Sequence, residues 1–307
     1  MGVQSACPPL IVICGATATG KTALSLELAQ RIPGAEIISA DSRQVYCGMD
    51  IGTAKVSATQ RALVPHHGLD LVDPDDTFSA ADYRRAAIDA LAAIAARGGV
   101  ALLVGGTGLY VRAVARGVTL EVTGHDVAAR AQLEQRLVGE GLHVLVAQLR
   151  SVAPNVAART DLANPRRVVR ALERAAVRGD RPPPAPRGYP ARSVWIGLNL
   201  EPSENARWIE RRARAQFASG LLDEAAALRW RYDQGERAFS AVGYREAFAV
   251  LDGEWSVGEA IERAALRTRQ LARRQRTWFR AEPDVTWLDA TSASLEREAS
   301  KIVEASL

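Results

Sequence analysis

The residues with the clearest chemical signature are residues 15–22, which read GATATGKT and match the pattern G-x-x-x-x-G-K-[ST]. The motif follows the apolar run LIVIC and opens a helical pattern, and this strand–loop–helix context is what the pattern requires. Backbone N–H groups around such a loop form a nest for anions at the positive end of a helix. The motif therefore predicts a site for linked phosphates, either of a nucleotide or of another diphosphate.

Lys21 within this loop is notable because the chain has only two other lysines, Lys55 and Lys301, and otherwise uses arginine. A compact ammonium fits between phosphate oxygens where a planar guanidinium does not. The hydroxyl of Thr22 suits Mg²⁺. We therefore predict that Lys21 neutralises phosphate charge and that Thr22 is a Mg²⁺ ligand.

A carboxylate, Asp41, ends the second predicted strand in the segment IISADSRQVY. The carboxyl ends of parallel strands line the ligand crevice of such a sheet, so Asp41 is expected on the same rim as the P-loop. Three roles are open: a Mg²⁺ ligand through water, a general base, or an N-cap for the residues that follow. Ser42 and Gln44 are suited to hydrogen bonding with the edge of a nucleic-acid base.

The third predicted strand ends in Gly105-Gly106-Thr107 instead of an acidic residue. An NTPase of the Walker type places an aspartate at the end of an apolar strand to hold metal, and this chain offers none there. Thr107 supplies a hydroxyl beside the phosphates. The two glycines taken alone are also compatible with a tight strand-to-helix turn.

Two predicted helices are rich in arginine. Arg167, Arg170 and Arg174 recur at helical spacing in NPRRVVRALERA, and residues 263–280 hold seven arginines and no acid. A solvated helix face usually mixes charges of both signs, and the second segment does not. Its arginines, glutamines and aromatic residues suit phosphates and bases, which favours RNA as a partner over a simple solvated face.

The elements that must position these residues alternate between strand and helix. Apolar runs at residues 10–14, 36–40, 100–104 and 193–200 predict buried strands, with helices at 21–31 and from Ser79, where Asp82 completes a capping box. Further helices are predicted at residues 203–219, 221–234, 243–252 and 256–281, followed by the short strand VTWL and a terminal helix. This order predicts an α/β fold with a P-loop-containing parallel sheet.

Residues 123–179 show only helical periodicity, and the proline-rich stretch DRPPPAPRGYP follows at residues 180–190. We predict a catalytic core formed by residues 1–122 and 191–307, including C-terminal helices. Residues 123–190 are predicted to form a helical insertion domain.

Composition limits the class of protein and the cellular compartment that we expect. The 307 residues are 48 % hydrophobic and 24 % charged, with a net charge of +4. No apolar run is long enough for a membrane span, and no signal peptide is visible. The three cysteines and four histidines match no metal motif, so we expect free thiols in a reducing cytoplasm and histidines in loops or at the surface. No heptads are visible, which favours a monomer.

The chain resembles the bacterial tRNA dimethylallyltransferase family through most of its length. The resemblance is carried by GATATGKT, ISADSRQVYCGMDIGTAK, DPDDTFSAADYRR, LLVGGTGLY, NPRRVVRALE, AVGYRE and TRQLARRQRTWFR. It implies transfer of a dimethylallyl group from dimethylallyl diphosphate to N6 of the adenosine immediately 3′ of the anticodon, in tRNAs that read U-initial codons. The implied partners are this diphosphate, Mg²⁺ and the tRNA anticodon stem-loop, and no membrane.

The resemblance also implies roles for individual residues. Asp41 is the implied general base, and Thr107 lies beside the transferring group. The diphosphate is held by Gly15, Thr17, Ala18, Thr19, Gly20, Lys21, Thr22 and Arg212. The implied tRNA contacts are Asp41, Ser42, Arg43, Gln44, Thr107, Arg130, Arg166, Arg167, Arg170, Ser240, Gly243, Tyr244, Arg245, Thr268, Arg269, Gln270, Arg273, Arg274 and Gln275.

Three positions depart from the family pattern. Ala16 replaces a proline, which the nest does not need, and Ser240 replaces a longer polar residue. Trp208 stands where an arginine is common, which leaves Arg207 or Arg212 to neutralise phosphate. The alternatives to an RNA prenyltransferase are a small-molecule P-loop kinase, an adenylate isopentenyltransferase acting on free AMP, and a non-catalytic RNA-binding protein.

Overall fold

The computed structural model describes residues 7–120 and 127–306, and its centre is a six-stranded sheet in which every neighbouring pair is parallel. The strands are β1 (Leu10–Gly15), β2 (Ala35–Ser39), β3 (His66–His67), β4 (Val100–Gly105), β5 (Ser193–Asn199) and β6 (Val285–Asp289), in the spatial order β3-β2-β4-β1-β5-β6. Because parallel strands end at one edge, the P-loop, Asp41 and Thr107 share that edge. The predicted α/β class with a parallel sheet is confirmed.

Thirteen α-helices accompany the sheet in the described part of the chain. The first four, between strands, are α1 (Lys21–Arg31), α2 (Ala58–Leu63), α3 (Ala80–Ala96) and α4 (Gly108–Ala115). The next four are α5 (Val127–Glu140), α6 (Leu142–Val152), α7 (Pro154–Ala157) and α8 (Pro165–Arg178). The last five are α9 (Pro202–Ala218), α10 (Leu221–Arg231), α11 (Tyr244–Leu251), α12 (Val257–Arg280) and α13 (Leu295–Glu304), with a 3₁₀ turn at Arg237–Ser240.

The central strand β1 is apolar throughout because both of its faces are covered. Leu10 and Val12 pack into one buried cluster with Tyr83 of α3, whereas Ile11 packs into a second cluster with Leu24 of α1. All six residues of β1 are buried. A strand between two helical layers has no solvent face, and this explains the unbroken apolar run in the sequence.

The capping box predicted at the start of α3 is confirmed. The hydroxyl of Ser79 accepts the N–H of Asp82, and the Asp82 carboxylate accepts the N–H of Ser79. Ser256 and Glu259 form the same reciprocal pair at the start of α12. These local pairs fix the helix starts without tertiary help, which is why sequence alone located them.

The sequence did not indicate α2 or the short edge strand β3. The prediction that the histidines lie in loops or at the surface is wrong for His66 and His67, which form β3 and are half-buried. His67 Nε2 lies 2.7 Å from Glu36 Oε2, and Arg97 binds the same carboxylate. His143 is exposed in α6, whereas His125 falls outside the described residues.

The chain divides into two compact units. One unit comprises Met1–Val118 and Arg187–Leu307, and the other comprises Thr119–Pro186. The boundary that we predicted at residues 122–123 lies outside the described residues. The smaller unit contains α5 to α8, packed around buried side chains that include Leu145, Leu149, Val168 and Leu172. No helix in the described ranges is long and apolar enough to cross a membrane.

Candidate active site

The P-loop between β1 and α1 has the backbone conformation of an anion nest. Ala18 and Gly20 have positive φ angles of 56° and 85°, which turn successive N–H groups toward one side. The carbonyl of Ala16 accepts two side-chain hydrogen bonds, from Thr19 Oγ1 at 2.9 Å and from Lys21 Nζ. The loop is therefore held in shape by its own side chains, and Lys21 already points back over it.

The Lys21 ammonium sits in an environment that disfavours its charge. The pKa of Lys21 is lowered to about 8, mainly by burial and to a smaller extent by the nearby Arg212 guanidinium, while Asp41 opposes the shift. An anionic ligand in the nest would restore the full charge on Lys21, because an opposite charge favours the protonated form.

Helix α9 contacts the P-loop through two polar residues. Arg212 Nη1 donates to Thr17 Oγ1 at 3.1 Å, and Asn205 Nδ2 donates to the carbonyls of Thr17 and Ala18 at 3.1 Å. Arg276 in turn donates to Asn205 Oδ1 at 3.2 Å. Asn205 is 1 % exposed and was missed by sequence reasoning. Asn205 lies on the same buried face of α9 as Ile209 and Ala213. A polar residue at this apolar spacing was the pattern that could have identified it.

The structure decides between the two candidates for neutralising phosphate near Trp208. Arg207 is exposed and pairs with Glu204 at 2.8 Å, whereas Arg212 reaches the P-loop. Trp208 donates from Nε1 to Glu204 and lies 4.0 Å from where a Cβ of Gly20 would be. Arg212 is therefore the arginine of α9 that contacts the phosphate loop.

Asp41 follows β2 and lies at the carboxyl edge of the parallel sheet, where the sequence predicted it. Its Oδ1 accepts the backbone N–H of Arg43 at 2.8 Å, so the carboxylate caps a turn and not a helix. The next residue, Ser42, donates its N–H to Thr107 Oγ1 at 3.0 Å, which ties the ends of β2 and β4 together. The Thr107 hydroxyl accepts in that bond, so its own proton remains available for donation.

Position 105, the first of the Gly-Gly-Thr turn, is a glycine because the backbone of Ala40 approaches it closely. A Cβ on Gly105 would lie 2.2 Å from the carbonyl oxygen of Ala40, and Gly105 does not have a positive φ. The neighbouring strand ends thus approach each other more closely than any side chain allows. Asp41 follows Ala40, and Thr107 follows Gly106. The close contact between Ala40 and Gly105 therefore brings Asp41 and Thr107 near each other.

A cavity of about 370 Å³ opens at this rim. Among the described residues that line it, Asp41 is the only acid, and the cations are Arg43, Arg212, Arg267 and Arg274. Apolar side chains from three helices also line it, namely Ile209, Ala213, Phe217, Leu221 and Leu271. The predicted site residues that line this cavity are Thr17, Asp41, Ser42, Arg43, Thr107, Arg212, Ser240, Gly243, Thr268, Gln270, Arg274 and Gln275.

Two predicted tRNA contacts have a structural role in this structure. Gln44 turns inward, because its Oε1 accepts from Ser39 at 2.8 Å and its Nε2 donates to the carbonyls of Thr53 and Ala54 at 3.2 Å. Tyr244 is fully buried, and its hydroxyl donates to Glu224 at 2.6 Å. Both side chains shape the loops around the cavity, and Tyr244 has no exposed surface for RNA.

Glu224 of α10 was also missed by sequence reasoning, although it organises the segment after Asp41. Its carboxylate accepts the backbone N–H groups of Asp50, Ile51 and Gly52 at 2.7–3.0 Å, in addition to the Tyr244 hydroxyl. A Cβ on Gly52 would lie 2.4 Å from the Tyr244 ring. Because an acidic residue near a helix start is common, no sequence pattern distinguished this one.

The arginines of α12 differ in how they are used. Arg267 pairs with the buried Glu246 at 2.6 Å, whereas Arg269, Arg273 and Arg274 are exposed, and no carboxylate among the described residues pairs with them. On the separate helical unit, Arg130 and Arg170 both pair with Glu173, and Arg167 lies 3.6 Å from Asp161. Arg166 and the Arg245 side chain are exposed. Helix α12 therefore carries three exposed arginines without a carboxylate partner among the described residues.

Near this charge, Arg43 donates to Ser240 Oγ at 2.9 Å and to the carbonyl of Arg237. Ser240, one of the three departures from the family pattern, is thus occupied by an internal contact. Gly243, close by, opens α11 with a positive φ of 106°. All four residues of the segment 240–243 line the cavity.

The chain is similar to known proteins over most of its length. The sequence model of the IPP transferase family matches residues 44–282. A tRNA dimethylallyltransferase of Anaeromyxobacter sp. (strain K) is 45 % identical over 300 residues, which cover 96 % of this chain and 97 % of the relative. The crystal structure of the full-length tRNA isopentenylpyrophosphate transferase of Bacillus halodurans is 39 % identical, covers 97 % of this chain and 95 % of its own, and superposes with a TM-score of 0.71.

A second solved structure, the tRNA delta(2)-isopentenylpyrophosphate transferase of Staphylococcus epidermidis, is 31 % identical. It covers 97 % of this chain and 98 % of its own, with a TM-score of 0.70. These matches extend over nearly the whole chain. This chain belongs to the IPP transferase family.

Proposed function

We propose that this protein transfers a dimethylallyl group from dimethylallyl diphosphate to N6 of the adenosine immediately 3′ of the anticodon in tRNA, with release of diphosphate. The observation that carries the proposal is the composition of the cavity. One carboxylate, Asp41, and the Thr107 hydroxyl share it with Thr17 of the phosphate loop, Arg212 and several apolar side chains. A five-carbon prenyl group fits against apolar side chains beside the phosphates.

In this mechanism the leaving group is held by the P-loop. The C1–O bond of the donor breaks, and its electron pair leaves with the diphosphate. Positive groups placed where that charge develops accelerate the step, and Lys21, Arg212 and the nest N–H groups are so placed. Arg212 is fixed by its bond to Thr17, so it needs little reorganisation during the reaction.

On the acceptor side, a bond forms between N6 of adenine and C1 of the prenyl group. The amine is a weak nucleophile, and Asp41 accepts its proton as the bond forms, which contributes about 10²–10⁴-fold. Thr107 donates a hydrogen bond at the reacting centre while its oxygen holds the Ser42 N–H. The base reaches the cavity only after it is turned out of its stack.

Mg²⁺ fits the donor set of this site. The described residues contain no cluster of three carboxylate, histidine or cysteine ligands, so a metal here is held mainly by diphosphate oxygens and water. Such a coordination is what Mg²⁺ prefers, with one or two protein oxygens. Thr22, exposed in the first turn of α1, and Asp41 through water are the proposed ligands. When bound, Mg²⁺ neutralises charge on the leaving diphosphate.

The anticodon stem-loop is proposed to bind the exposed arginines of α12 and those of α8, with further contacts at the rim of the cavity. We place this activity in the cytoplasm, where tRNA is available, and propose that the protein acts as a monomer. The helical unit is proposed to contact tRNA through Arg130, Arg166, Arg167 and Arg170.

The direct test is to incubate the protein with dimethylallyl diphosphate, Mg²⁺ and unmodified tRNA that reads U-initial codons. Mass spectrometry of the digested tRNA is expected to show N6-dimethylallyladenosine immediately 3′ of the anticodon. AMP serves as the control acceptor. Equal product on AMP would identify an adenylate isopentenyltransferase, and ATP hydrolysis without tRNA product would identify a kinase-like enzyme.

Binding of dimethylallyl diphosphate is expected to weaken as the pH rises above about 8. The free protein loses the Lys21 proton there, since its pKa is about 8, and the anion binds the charged form. Affinity should fall up to about tenfold per pH unit until the pKa of the bound state is reached. Calorimetry in buffers of different ionisation enthalpy should show proton uptake on binding.

The matched control is Lys21→Gln. This variant lacks the titrating ammonium and is expected to bind dimethylallyl diphosphate more weakly. Its affinity should not vary with pH between about 7 and 9, the window around the Lys21 pKa. The Cys14 thiol beneath the loop has a pKa that burial raises to about 12, so it does not titrate in this window. A wild-type affinity that stays constant across the same window would contradict the proposed contact.

Replacing both Arg273 and Arg274 with alanine is expected to weaken tRNA binding and to flatten its salt dependence. Removing one phosphate contact changes the slope of log K against log[salt] by about 0.7–0.9. The control removes two other arginines, Arg207 and Arg214, which pair with glutamates on α9. If both double variants change the slope equally, net charge and not α12 determines RNA affinity.

A further inference from the structure

The side-chain amide of Gln275 joins two loops of the active site. Its Oε1 accepts the backbone N–H of Thr17 at 2.8 Å, and its Nε2 donates to the backbone carbonyl of Gly106 at 2.9 Å. Thr17 belongs to the P-loop after β1, and Gly106 precedes Thr107 after the neighbouring strand β4. One amide therefore links the phosphate loop to the turn that carries Thr107.

Gly106 provides the space that this amide occupies. A Cβ at position 106 would lie 2.4 Å from Nε2 and 3.2 Å from Cδ of Gln275. The next neighbour, the carbonyl oxygen of Gly15, is 3.5 Å away, which is an ordinary contact. Gly106 does not have a positive φ, so its backbone does not require glycine. The absence of a side chain at position 106 thus serves the Gln275 amide.

These bonds leave the Gln275 amide little capacity for RNA. Its carbonyl holds Thr17, and one of its two N–H groups holds Gly106. Gln275 lines the cavity and is half-buried, so water can replace both bonds when the side chain is removed. The fold as a whole depends little on them, whereas the relative position of the two loops depends on them directly.

We propose that Gln275 is a positioning residue that fixes the P-loop relative to Thr107, and this rests on the proposed transfer reaction. The P-loop holds the leaving diphosphate, and Thr107 lies at the reacting centre. A misplacement of about 1 Å between such groups can lower a rate by about 10²-fold. The effect of Gln275 therefore falls on kcat and on the ordering of the phosphate loop, and not on tRNA affinity.

The test is a double-mutant cycle of Gln275→Ala and Gly106→Ala. Each single variant is expected to lower kcat by about 10- to 100-fold, with the tRNA dissociation constant unchanged within about twofold. Each should also raise the dissociation constant of inorganic pyrophosphate by about 3- to 10-fold, because the P-loop loses the hydrogen bond from the Thr17 N–H to Gln275. The double variant should match Gln275→Ala, since without the amide the new Cβ makes only the ordinary 3.5 Å contact with the Gly15 carbonyl oxygen.

Thr277→Ala is the matched control on the same helix, because the exposed Thr277 hydroxyl bonds to the Arg273 carbonyl within α12 and not to either loop. Its kcat and pyrophosphate affinity should equal those of the wild type. Additive losses in the double variant, or weakened tRNA binding at unchanged kcat, would overturn the proposal. Pyrophosphate binding needs no turnover, so this cycle tests Gln275 even if the wild type forms no prenylated tRNA.

Discussion

Asp41→Asn is expected to lower kcat for prenyl transfer by about 10²–10⁴-fold, because it removes the group that accepts the proton of the adenine amine. Asparagine has nearly the same shape and keeps an Oδ1 acceptor for the Arg43 N–H, which lies 2.8 Å from Asp41 Oδ1. The turn after β2 is thus retained. Single-turnover assays with saturating tRNA and donor measure the effect on chemistry alone.

The tRNA dissociation constant of Asp41→Asn should stay within about twofold of the wild type, since the turn is intact. Asp41→Ala is the companion variant, which removes both the proton acceptor and the acceptor for Arg43. A loss of tRNA binding in Asp41→Asn would make Asp41 mainly a recognition residue. An unchanged kcat would place the general base elsewhere in the cavity.

Arg212→Ala is expected to lower kcat/KM for dimethylallyl diphosphate by about 10²–10³-fold, the cost of removing one preorganised donor at a developing charge. Burial lowers the pKa of Arg212, while Asp41 opposes the shift. The guanidinium is thus held in a partly desolvated place, where its charge acts strongly on a phosphate. Steady-state kinetics with varied donor and saturating tRNA measures the loss.

The neighbouring Arg211 provides a control for Arg212. It is exposed on the same helix and lies over the Trp208 ring, 5.8 Å from the ring centroid. Arg211→Ala removes the same charge but no contact with the P-loop, so kcat/KM should remain close to that of the wild type. An equal loss in both variants would show that α9 acts through net charge and not through the bond from Arg212 to Thr17.

Local sequence determined the elements that hold the chemistry. The P-loop, the apolar strands and the capping pair of Ser79 and Asp82 are each encoded within a few neighbouring residues, so they could be predicted without tertiary information. Parallel pairing then followed from the alternation of strands and helices, and it placed Asp41 and Thr107 at the carboxyl edge. These features explain why most of the proposed catalytic residues were found from the sequence.

Tertiary structure alone decided how individual polar side chains are used. Gln44 and Tyr244 stand in segments that suggested RNA contact, yet each bonds within the protein. Asn205, Glu224 and Gln275 shape the site through bonds to backbone groups that are 169 or more residues away in the sequence. A hydrogen-bonding group can satisfy its donors and acceptors with RNA, water or backbone, and only the folded neighbourhood selects among them. The sequence by itself therefore determined where the reaction edge lies, and the packing of α9, α10 and α12 against it decided which polar groups remain for the substrates.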